Sequence, residues 1–145
     1  MDNNYNLSHR LIKSKNFYWI PGMLAIRSNG TEFRVAQVGY GDGDYPAGRI
    51  SNGWGDWGSF DGATPDLSDP ATVGCLLFLA KEVTNQPRLF IESHEDRHYI
   101  CAPSSHGTLI YNGNCSWSNL GFGSPLSLDT LEEALVVAIE YAEPF

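Results

Sequence analysis

Positive charge is scarce in this sequence: nine lysines and arginines stand against seventeen aspartates and glutamates, a formal net charge of −8. Nucleic-acid binding needs clustered cations to meet phosphates, and no such cluster is present. Direct nucleic-acid binding is therefore excluded, and a protein with a basic surface becomes the complementary partner. Solubility is the plainer use of the same charge. The imbalance is local as well as global: between residues 35 and 70, Arg49 alone faces Asp42, Asp44, Asp56, Asp61, Asp66 and Asp69.

Long apolar runs are also missing. Nothing approaches the roughly 18 residues of a membrane-spanning helix, and the opening stretch, Met1 to Asn6, is polar and Asn-rich rather than signal-like. No membrane association and a cytoplasmic location are the expectations. The three cysteines, Cys75, Cys101 and Cys115, cannot all pair within one chain and show no C-x-x-C spacing. Free thiols in a reducing compartment follow, with no structural zinc and no cofactor. Cys75, in an apolar helical stretch, reads as a small core residue.

Catalytic signatures are absent in the same way: there is no G-x-S-x-G elbow, P-loop or G-x-G-x-x-G fingerprint. Asp42-Gly43-Asp44 opens like a calcium loop, but the sixth and twelfth positions hold Ala47 and Gly53 where an EF-hand needs Gly and Glu. His94-x-x-x-His98 has the spacing of a helical metal pair, yet it flanks a charged turn in a hairpin pattern. Ser104-Ser105-His106 sets hydroxyls beside an imidazole, but neighbours in sequence seldom face each other as nucleophile and base must. No catalytic and no metal-binding residue is assigned.

What is present suffices for one domain of 145 residues with a real core, since 42% of the residues are apolar. Leu7 to Lys15 suggests a short helix. Phe17 to Arg27 and Glu32 to Val38 flank Ser28-Asn29-Gly30-Thr31, a hairpin signal in which Asn-Gly suits a type I′ turn. From Gly39 to Gly62 regular structure gives out, because eight of these 24 residues are Gly. Arg49 to Ser51 supplies at most a short strand there. Order returns at Asp69, an N-cap followed by Pro70 at the first helical position. Val73, Leu76, Leu77, Ala80 and Val83 then mark one buried face, and Lys81 and Glu82 an exposed one.

Leu89 to Ser93, His98 to Ala102 and Leu109 to Tyr111 read as a meander, and Asn112 to Pro125 as a second loop. Asp129 is expected to cap the last helix with Glu132 at the capping-box position. The fold class is thus α+β: an antiparallel sheet of about five strands with two main amphipathic helices packed on one face. A long Gly and aromatic loop, about 39–68, is inserted between the first hairpin and the central helix.

Trp19-Ile20-Pro21-Gly22-Met23, the run Pro65-Asp66-Leu67-Ser68-Asp69-Pro70-Ala71-Thr72-Val73-Gly74-Cys75-Leu76-Leu77, and the closing Thr130 to Leu135 helix occur in that order. In this the chain resembles a group of small bacteriophage and prophage proteins. The resemblance implies phage origin, an accessory role and action in a host bacterial cytoplasm. It brings no catalytic residues. The two loops depart from the group's pattern, and the first carries the candidate binding residues Tyr40, Asp42, Asp44, Tyr45, Arg49, Trp54, Asp56 and Trp57. Its aromatics are of the kind that dominate binding hot spots; folded back, they would instead cover a small sheet as a lid.

The leading functional reading is stoichiometric binding of a host protein, as an inhibitor of a defence component such as a CRISPR effector. The alternative is binding or sequestration of a small nucleotide-like molecule between the two loops, with homo-oligomers around shared pockets. A small hydrolase using Asp56, Asp61, His94 or His106 is the third.

Overall fold

The structure, a computed structural model, describes residues 3–39, 49–51, 57–59, 63–104, 107–113, 116–119 and 126–142. Within them run α1 (Asn3–Lys13), β1 (Leu24–Ile26), β2 (Glu32–Arg34), β3 (Gln37–Val38), β4 (Arg49–Ser51), β5 (Trp57–Ser59) and β6 (Thr64–Pro65). There follow α2 (Pro70–Val83), β7 (Phe90–His94), β8 (Arg97–Ser104), β9 (Gly107–Gly113), β10 (Ser116–Asn119) and α3 (Leu131–Glu140). The α+β class stands. The expected single sheet of about five strands does not: the described strands form three separate antiparallel sheets, ordered β2-β1-β6, β3-β4-β5 and β10-β9-β8-β7.

The chain falls into two compact units, one made of Met1–Ile12 with Tyr18–Cys75, the other of Lys13–Phe17 with Leu76–Phe145. In the first unit β1 is the central strand of its sheet, with Leu24 opposite Arg34 and Ile26 opposite both Glu32 and Thr64. The Asn29-Gly30 hairpin forms, but not with the expected type I′ turn. Only Gly30 has a positive φ, 87°, and its N–H returns to the Arg27 carbonyl at 2.9 Å. The Asn29 side chain instead accepts from the Thr31 N–H and hydroxyl, a local bond that holds the turn without a left-handed Asn. Leu11, Met23 and Ala25 are fully buried in this unit, and Leu7, Trp19 and Val35 nearly so. The stretch expected to lack structure holds β4 and β5, paired from Arg49 opposite Ser59 to Ser51 opposite Trp57.

In the second unit β8 lies between β7 and β9, and α3 lies against β7 and β8. The β7–β8 hairpin closes through Glu95 and Asp96, both left-handed with φ 52° and 62°. The second expected loop contains β10, which pairs with β9 and brings Trp117 edge-on to Tyr111 at 5.3 Å. Helix α3 begins one residue later than expected. Thr130, not Asp129, is its N-cap, accepting from the N–H of Glu133 at 3.0 Å; Asp129 pairs with Arg97 instead. Ala134 to Ile139 are all buried, so the middle of this helix is enclosed all round, and its exposed or half-buried residues, Leu131 among them, lie at the ends.

Candidate functional site

The first unit contains a cavity of about 450 Å³ between α1 and the junction of β1 with β6, a size proper to small-molecule sites. Its position follows from one buried hydroxyl. Ser8, 5% exposed, sits on α1 with Oγ 2.9 Å from the Pro65 carbonyl and 2.7 Å from that of Asn4. A buried hydroxyl must find an acceptor. Pro65 is on an edge strand, where a residue without an N–H is tolerated and its carbonyl remains available. The bond ties helix to sheet edge, and the turn of α1 before it, with Tyr5, forms the wall above.

Four side chains give the cavity its chemistry. Tyr5, 61% exposed, and His9 stand one turn apart with ring centroids 4.2 Å apart and planes tilted by 42°. His9 Nδ1 lies 3.0 Å from the Tyr5 carbonyl. A carbonyl only accepts, so Nδ1 holds a proton and the other ring nitrogen, Nε2, is directed elsewhere. Arg27 lies with its guanidinium 4.5 Å from the centroid of the Phe33 ring, a cation–π contact that occupies its flat face and leaves its in-plane N–H groups open. Asp66 holds the next turn through Oδ1, which accepts from the Ser68 N–H at 3.0 Å and hydroxyl at 2.6 Å. Among the described residues neither Arg27 nor Asp66 is in an ion pair.

Immediately after this lining comes a polar network with a structural role. Asp69 Oδ2 accepts from the N–H and hydroxyl of Thr72, both at 2.9 Å, as an N-cap does toward the third helical residue. The Thr72 hydroxyl, fully buried, in turn accepts from the Leu24 N–H at 2.9 Å. Arg34 grips both oxygens of Asp69, at 2.5 Å and 3.2 Å, and the Gly22 carbonyl at 3.0 Å. The Arg34 hydrogen bond first, then those of Thr72, hold the Asp69 carboxyl at about 2. Asp69 and Thr72, within the 65–77 run, thus join the start of α2 to β1.

Of the candidate binding residues named from sequence, Tyr40, Asp42, Asp44, Tyr45, Trp54 and Asp56 lie outside the described residues, as do Asp61, Ser105, His106 and Cys115. Arg49 opens β4 and Trp57 opens β5, placing both in the β3-β4-β5 sheet. Ser104 spends its hydroxyl on the Gly107 carbonyl at 2.7 Å, closing its turn. His94 sits opposite Arg97 beside the hairpin turn, while His98 Nδ1 meets Ser93 Oγ across the strands at 2.7 Å. No further hydrogen bond reaches the His98 ring among the described residues, so this pair lacks the orienting group of a nucleophile and base. Among those residues no cluster of three metal-ligating side chains occurs, and no helix is long and apolar enough to cross a membrane.

Sequence reasoning missed Tyr5, Ser8, His9, Arg27 and Asp66 as a group. The sole local signal was Tyr5 and His9 at one-turn spacing; their meeting with Arg27 and Asp66 depends on the pairing of β1 with β6. Compared with protein-family models, curated proteins and solved structures, the chain matches none.

Proposed function

We propose that the chain is a phage-type accessory protein that acts by stoichiometric binding of another protein with a basic surface, as an inhibitor of a host-defence component. The observation that carries this reading is Phe78. It stands in the middle of α2, 52% exposed, while Leu76, Leu79 and Ala80 around it are fully buried. Burial drives helix packing, so an aromatic held outward on a rigid helix contributes little to the fold; aromatic side chains in that position are what binding hot spots use. Tyr141 in the same unit is 51% exposed. The net charge of −8 favours a basic partner and speeds its encounter. The resemblance of its motif order to that of small phage proteins supports the accessory role.

The test is gentle affinity capture of the tagged protein from a bacterial lysate, followed by native mass spectrometry. A host protein in fixed ratio is the expected result, lost in Phe78→Ser without a change in melting temperature. Trp54→Ala combined with Trp57→Ala examines the aromatic loop named from sequence in the same way. A chain recovered without a partner, or a partner retained by all these variants, refutes the reading.

A further inference from the structure

We propose that the cavity between α1 and the β1–β6 junction is a binding site for a small zwitterion with an aromatic or apolar body, of which a short peptide with free ends is the simplest case. This goes beyond the protein-binding reading and does not depend on it, since Phe78 belongs to the other unit.

Size comes first: about 450 Å³ holds a ligand of a few residues and no more. Charge comes second. The lining offers one cation, Arg27, and one anion, Asp66, and among the described residues neither is in an ion pair, with the other or with any third side chain. A neutral apolar ligand would bury both charges without compensation, which is costly. A dianion such as a nucleotide would meet Arg27 with one charge and be repelled by Asp66 with the other. A zwitterion answers both, its carboxylate accepting from the in-plane N–H groups of Arg27 and its ammonium donating to Asp66 Oδ2. The opposite Asp66 oxygen is already engaged by Ser68, which fixes the carboxylate in place.

The body is provided for as well. Ile26, Pro65 and Leu67 contribute apolar lining, and the Tyr5 ring, mostly exposed, offers a face on which an aromatic side chain can stack. His9 supplies the selective contact. With Nδ1 bonded to the Tyr5 carbonyl, Nε2 is the ring nitrogen left for a hydrogen bond with the peptide backbone.

The experiment is a ¹H–¹⁵N titration with the tripeptide Gly-Phe-Gly, its termini free, against the same peptide acetylated, amidated or both. Saturating shifts confined to Tyr5, His9, Arg27 and the Thr64–Leu67 stretch are expected, with each blocked end weakening binding about tenfold, the order of one charge-assisted hydrogen bond. Arg27→Gln should abolish the penalty for amidation and keep that for acetylation; Asp66→Asn, which preserves the acceptor for Ser68, should do the reverse. Circular dichroism checks that both variants fold. Equal binding of the doubly blocked peptide overturns the proposal, as does tighter binding of adenosine monophosphate at the same residues. So does failure of every probe to saturate.

Discussion

Replacing Asp69 by Ala should destabilise the protein by about 2–3 kcal/mol, because two losses coincide: the N-cap of α2, and an acceptor for the buried Thr72 hydroxyl. Asp69→Asn separates these from charge. Asn still caps and still accepts from Thr72, so it should forfeit only the ionic part of the Arg34 contact, a small quantity because Arg34 is 48% exposed. The pH dependence has a definite sign. The carboxyl is held at about 2 in the folded chain against an ordinary 3.8, so its contribution is complete above about pH 4 and disappears as the pH falls toward 2. Urea unfolding followed by circular dichroism at neutral pH and near pH 3 measures both effects. The wild type should lose more stability on acidification than Asp69→Asn does. Equal destabilisation by Ala and Asn, or identical acid limbs for Asn and wild type, would refute the reasoning.

Two further outcomes can be checked with the same material. Glu95 and Asp96 close the β7–β8 hairpin in left-handed conformations that cost ordinary side chains roughly 1–2 kcal/mol each. Glu95→Asn with Asp96→Gly should therefore raise stability by about 1–2 kcal/mol, read as a higher urea midpoint at unchanged slope; no gain would mean that the acidic side chains hold this turn by other contacts. Burial first, then the neighbouring Glu92 charge, pushes the Cys101 thiol up to about 11, leaving roughly a thousandth of it as thiolate at pH 8. Peptide mapping after brief alkylation should find Cys101 unmodified in the folded protein and modified in urea; equal labelling in both states would contradict its burial.

The helices were legible because their signals are local. Asp69 and Pro70 announce the start of α2, and the spacing of Leu76 and Ala80 marks its inner face. Even there, adjacent candidates compete: Asp129 and Thr130 both suit a cap, and it is Arg97, 32 residues earlier, that draws Asp129 away. The sheets were less legible. Strands of two or three residues, such as β3 and β6, are too short to show a period of two, and the pairing of Ile26 with Thr64 joins segments with no sequence relation. The count of sheets was lost for that reason. The cavity was hidden twice over, since Tyr5 falls in the polar opening stretch and Ser8 and His9 in a short helix, while Arg27 merely closes an apolar run. The aromatic loop drew attention by composition alone, which reports that large rings are present but not what they meet.

Asn16 donates its side-chain amide to the carbonyls of Ile139 and Ala142, at 2.9 Å and 2.7 Å, satisfying one acceptor that the last turn of α3 leaves open and one just beyond it. A side chain near the start of the second unit's sequence thus finishes an element 123 residues further along. The chain enters the second unit at Lys13, leaves it at Tyr18 and returns at Leu76, so no single cut yields both units whole. On the ribosome, the second unit must wait with Lys13–Phe17 in hand until α3 emerges. A truncation that removes residues 1–17 should therefore injure α3 as much as the first unit.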